Sequence, residues 1–108
     1  MIRVSLYKNN NNDYIGARLE GHAEYADQGL DIVCSAVSTL VINTLNSIEV
    51  LTDDDYKCDM DRNSGLIDFK ISDEDNPTAE ALLLIKSMIM GLKTLSESYG
   101  KQFILTDY

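Results

Sequence analysis

Apolar residues along this chain switch repeatedly between a spacing of two and a spacing of three to four, and that alternation narrows the fold more than any other feature. Ile2, Val4 and Leu6 alternate with Arg3, Ser5 and Tyr7, and Ile15, Ala17 and Leu19 alternate with Gly16, Arg18 and Glu20. Each run predicts a strand with one buried face, and Asn9 to Asn12 between them predict the turn, because asparagine tolerates left-handed conformations. The spacing then becomes helical. Val33, Val37, Leu40, Val41, Thr44 and Ile48 predict a helix from about Ile32 to Leu51. A second hairpin follows, with Tyr56, Cys58 and Met60 on one face, a turn over Arg62, Asn63, Ser64 and Gly65, and then Ile67, Phe69 and Ile71. Asn76-Pro77 predicts the start of a second helix, since proline at the first helical position loses nothing by lacking an amide proton. That helix carries Leu82, Ile85, Ile89 and Leu92, widened by Leu84, Met88 and Leu95, and is expected to end at Tyr99 before Gly100. Phe103, Ile104 and Leu105 predict a closing strand. The order ββαββαβ predicts an α/β (α+β) two-layer sandwich, with both helices on one face of a mostly antiparallel sheet.

A chain of 108 residues is expected to form one domain over residues 1–108 and to bury a core without disulfides or a metal. It opens on an alternating strand rather than a charged segment followed by an apolar stretch, and no apolar run approaches membrane-spanning length, so a cytoplasmic location without membrane contact is expected. In that reducing compartment Cys34 and Cys58 are expected as free thiols. The net charge of −9, with acidic clusters at Asp53 to Asp55 and Asp73 to Asp75, disfavours nucleic-acid binding and suits solubility or attraction of a basic partner. One histidine and two separated cysteines cannot assemble a convincing zinc site. Gly16, Gly21 and Gly29 are too far apart to cradle a nucleotide. No metal and no cofactor are therefore expected.

The chemistry concentrates between residues 21 and 38. A polar loop from Gly21 to Leu30 is longer than usual for a strand-to-helix connection, and such loops in small domains tend to be functional. Gly21 and Gly29 bracket it as expected hinges. Asp31 is placed to cap the helix, which makes Cys34 its third residue. A thiolate among unpaired amides at a helix start is stabilised, so the thiol pKa is expected to fall. His22 is the chain's one histidine and hence the candidate general base. Two considerations oppose this reading. Asp31 as an anion in the same turn would raise the thiol pKa, and a cysteine beside Val33 and Val37 is often a small buried hydrophobe. Cys58, in the middle of an apolar strand face, is expected to be inert packing.

The run Gly21-His22-Ala23, followed at fixed spacing by Gly29, Asp31, Val33-Cys34, Ala36, Val37 and Ser38, resembles the ribosomal-processing cysteine protease Prp family of Firmicutes and related bacteria. The resemblance covers essentially the whole chain. Serine at position 35, where alanine is more usual in the family, is a small departure. The resemblance implies a cysteine endopeptidase that removes a short N-terminal extension from a large-subunit ribosomal protein, cutting after an aromatic residue. It implies His22 as base and Cys34 as nucleophile, supporting roles for Gly21, Gly29, Asp31 and Ser38, and a homodimer. Backbone amides at Cys34 and Ser35 are the expected oxyanion donors, because donors fixed before reaction stabilise charge without reorganising. Two other classes stay open at this point. One is a non-enzymatic peptide- or ribosome-binding module; the other is a thiol redox sensor, against which the lack of a nearby resolving cysteine already weighs.

Overall fold

The computed structural model describes residues 2–21, 28–99 and 104–107. Its elements run β1 (Ile2–Lys8), β2 (Tyr14–Glu20), α1 (Gln28–Leu51), β3 (Tyr56–Asp61), β4 (Leu66–Ile71), α2 (Ala79–Tyr99) and β5 (Ile104–Asp107). This is the expected ββαββαβ order. The five strands lie in the order β3-β4-β2-β1-β5. All neighbours are antiparallel except β5, which runs parallel to β1.

Register decides which residues share a face. Val4 pairs with Leu19, Ala17 with Phe69, and Leu19 with Ile67, so the apolar members of three strands form one continuous row. Against that row pack Val33, Val37, Val41, Leu45 and Ile48 of α1 and Ala81, Ile85, Met88, Ile89 and Leu92 of α2, all buried in one cluster. Both helices therefore lie on the same face. The opposite face is polar and ionic. Tyr7 Oη donates to Asp68 Oδ1 at 2.9 Å, and Arg18 Nη1 donates to Asp68 Oδ2 at 2.9 Å. Such half-exposed pairs contribute little stability, but they mark that side as the solvent side.

The asparagine run makes the turn. Asn9 Oδ1 accepts from the amides of Asn11 and Asp13, and Asn12 sits at φ 64°, where asparagine is tolerated. Helix α2 begins later than Asn76-Pro77 implied. Thr78 is the cap: its hydroxyl accepts from the Ala81 amide at 3.1 Å, and its own amide donates to Asp54 Oδ2 at 2.9 Å. The physical reason is that a threonine oxygen satisfies an unpaired helix-start donor, which proline cannot do. The helix ends at Tyr99 as expected.

The stretch Ile32–Leu51 does reach spanning length and apolarity, with a mean hydropathy of 1.3, contrary to the reading that no run does. Within it Val33, Val37, Val41, Leu45 and Ile48 are buried in the core cluster, while Ile32, Val50 and Leu51 are exposed. The closing strand starts at Ile104; Phe103 and Gly100 lie outside the described residues.

Candidate active site

Helix α1 starts at Gln28 rather than after Asp31. The difference matters chemically. Counting from Gln28, Asp31 is the fourth helical residue, so it is not the cap, and Cys34 is the seventh rather than the third. Gly29 is the second residue of a helix, not a loop hinge. In an α-helix each amide from the fifth residue onward donates to the carbonyl four residues back. The amides of Cys34 and Ser35 are thus engaged inside α1 and are not free oxyanion donors. The helix-start field is confined to the first turn and so does not act at Cys34.

Cys34 is half-buried and packs against the core cluster. It opens onto a groove of about 350 Å³ between the first half of α1 and the ends of β1, β2 and the β3–β4 hairpin. The floor consists of Ile2, Leu19, Val37 and Ile67, all core residues, and the outer wall includes Ile42 and Met60. Ser38, one turn beyond Cys34, also lines this groove, as does Gly21. Gly21 has φ 104°, a conformation open to glycine and strained for other residues. Its amide donates to the Ser64 carbonyl at 3.3 Å, which ties the end of β2 to the turn of the β3–β4 hairpin.

The structure thus brings Cys34, Ser38 and Gly21 to one groove. His22 lies outside the described residues, as does the side chain of Asp31; Gly29 is described only as part of the α1 backbone. His22 follows Gly21, a groove residue, directly in the sequence. The groove walls Ile42, Met60, Asp61, Arg62 and Leu66 were not singled out as site residues from sequence. Ile42 carried a signal, being apolar but off the helical stripe.

Cys58 differs from the expectation of a packed residue: it is exposed on edge strand β3. Partial burial of its sulfur raises the thiol pKa above the ordinary value, and the carboxylates of Asp59 and Asp68 raise it further. Burial and the neighbouring anions both disfavour the thiolate, burial the more, so Cys58 is poorly placed to act as a nucleophile.

Comparison with known proteins agrees with this geometry. The family model described as cysteine protease Prp matches residues 1–104. The ribosomal processing cysteine protease Prp of Staphylococcus aureus strain Mu50 is 30% identical over 105 residues, covering 97% of each chain. That of Bacillus subtilis strain 168 is 29% identical over 108 residues, covering 98% of this chain and 96% of the other. Two crystal structures of the S. aureus protease superpose over 100% of this chain and 99% of theirs. One holds a substrate peptide (TM-score 0.87, 28% identity) and the other a covalently linked product peptide (TM-score 0.86, 30% identity). With its sequence matched nearly end to end, its fold reproduced and a half-buried cysteine opening onto an apolar groove, this chain belongs to the Prp family of cysteine proteases.

Proposed function

We propose that this chain removes a short N-terminal extension from a large-subunit ribosomal protein, cutting after an aromatic residue, with Cys34 as nucleophile and His22 as general base. The observation that carries the reading is the placement of Cys34 on the groove that Gly21, the residue bonded to His22, also lines. The relatives named for ribosomal processing, and the S. aureus structures with substrate and product peptides, support the same assignment.

In the proposed reaction His22 takes the proton of the Cys34 thiol as the sulfur attacks the scissile carbonyl. Collapse of the tetrahedral adduct breaks the carbon–nitrogen bond, and the imidazolium gives its proton to the departing amine. A thioester to Cys34 remains. His22 then deprotonates a water that attacks the thioester, releasing the new carboxylate and returning the proton to the sulfur. Because Cys34 lies beyond the first helical turn, activation of the thiol rests on the imidazole and not on the helix start. Oxyanion donors come from outside the engaged amides of Cys34 and Ser35. Ser38 supports the site from the next turn of α1, and the chain acts as one cytoplasmic domain in a homodimer.

The test is incubation of the purified protein, beside its Cys34→Ala variant, with the ribosomal protein carrying its extension, following both masses over time. Loss of the extension with wild type alone is expected. No cleavage by fully reduced wild type, or equal cleavage by the variant, would refute the assignment.

A further inference from the structure

We propose that the β3–β4 turn positions the base for the reaction: Gly65, in a left-handed conformation, presents the Ser64 carbonyl to the Gly21 amide, and that bond fixes the residue from which the chain passes to His22. The inference rests on the proteolytic reading and names what holds one half of its site. Strand β2 is held from both sides over most of its length. Its pairing with β4 runs from Gly16 opposite Lys70 to Leu19 opposite Ile67, and its pairing with β1 ends at Glu20 opposite Arg3. Gly21 is therefore beyond both ladders. Its bond to Ser64, at 3.3 Å, takes over where they stop.

The turn is shaped for that contact. Asp61 opposite Leu66 is the last pair of the β3–β4 ladder, which leaves residues 62–65 to reverse the chain. Asp61 Oδ1 accepts from the Asn63 amide at 2.9 Å and sets the first half of the turn; Gly65, at φ 68°, sets the second. A Cβ disfavours that conformation for most residues, least for asparagine and aspartate. Ser64 lies between these two fixed points, so the direction of its carbonyl follows from them, and its acceptor is taken by the residue before His22. Gly21 and Gly65 both line the groove onto which Cys34 opens, which puts the tie at the groove itself. Placement matters there, because a misplacement of about 1 Å at a reacting group can cost roughly 10²-fold in rate.

The experiment measures kcat and KM on an extension peptide, and the rate of Cys34 alkylation by iodoacetamide without substrate, all in a Cys58→Ser background. The variants are Gly65→Ala, Gly65→Asn, His22→Ala, Gly65→Ala combined with His22→Ala, and a semisynthetic chain, ligated at Cys34, in which an ester replaces the Gly21 amide and removes its N–H donor. Gly65→Ala is expected to lower kcat by roughly tenfold to a hundredfold with KM little changed, and to slow alkylation. Gly65→Asn, which tolerates the left-handed turn, should restore both, and the ester should reproduce the loss. In His22→Ala, adding Gly65→Ala should cost nothing more, because effects that run through one residue are not additive. Additive losses, or a loss that asparagine does not restore, would mean that the turn serves only the fold and would overturn the inference. Unchanged kcat and alkylation in the ester chain would overturn it even if Gly65→Ala failed to fold. The expected pattern in alkylation, without cleavage by wild type, would uphold the tie and sink the protease assignment. Cleavage slowed by His22→Ala alone would sink the tie and leave the protease assignment standing.

Discussion

Cys34 and Cys58 are the chain's two cysteines, and what surrounds each sulfur separates their roles. Cys58 shares its strand with Asp59 and pairs with Phe69; burial is the largest influence raising its pKa, followed by the carboxylates of Asp59 and Asp68. At neutral pH it should therefore be alkylated by iodoacetamide more slowly than a free model thiol, and Cys58→Ser should leave cleavage unchanged. Replacing His22 by alanine should slow acylation by on the order of 10²–10⁴, measured as the burst rate on a chromogenic peptide; an unchanged burst would remove it as the base. At this scale the sequence was legible at Cys34, whose residue type and family spacing singled it out and which opens onto the groove; His22 lies outside the described residues. The sequence was misleading about Cys34's place in its helix. Gly29 has poor helix propensity, so the pattern read as helical only from Ile32, whereas α1 already begins at Gln28. Propensity is a weak prior that tertiary packing overrides, and the buried stripe from Val33 to Ile48 holds this helix on the sheet.

Among the elements, the helix starts and one strand contact carry the clearest stability predictions. A Cβ on Gly16 would lie 2.1 Å from the Phe69 carbonyl oxygen, a backbone atom that cannot step aside within a central sheet. Gly16→Ala should therefore cost about 1–3 kcal/mol or more, read as a lower urea midpoint; an unchanged midpoint would contradict the close approach of β2 and β4. Thr78→Ala removes both the cap on Ala81 and a hydroxyl partner of Asp54, and should cost roughly 1 kcal/mol. Alternation and helical spacing revealed all seven elements in order, because those periods are set by which faces are buried. The cap at Thr78 in place of Pro77 was not legible, since it depends on Asp54, which lies 24 residues away along the chain. The reason for glycine at position 16 is likewise a contact between strands that no local pattern encodes.

Across the whole molecule, one apolar cluster joins both helices to one face of the sheet, leaving charge on the other face and on the loops. Phe69, among the largest fully buried side chains, sits where β2, β3 and β4 meet, and Phe69→Ala should cost about 3–5 kcal/mol in chemical denaturation. Tyr7, Tyr56 and Cys58 all titrate higher in the folded chain than their ordinary values of 10.0, 10.0 and 9.0, chiefly through burial. The unfolded chain therefore loses these protons first. Each group contributes stability that is fully present below its ordinary value and is lost as pH rises through its folded value. The denaturation midpoint should fall as pH is raised from 9 upward, more steeply in wild type than in Cys58→Ser. Architecture at this scale was legible from element order. The groove was not, because its lining comes from β1, β2, α1 and the β3–β4 hairpin, which only the fold brings together.

The most direct test of the central claim is a rapid-quench intact-mass measurement during turnover of an extension peptide, followed by mapping of the modified residue. The expected result is a transient thioester adduct of the peptide's N-terminal fragment on Cys34, formed in wild type and absent from Cys34→Ala. An adduct on Cys58, or peptide cleavage with no adduct on any cysteine and full activity in Cys34→Ala, would contradict Cys34 as the nucleophile.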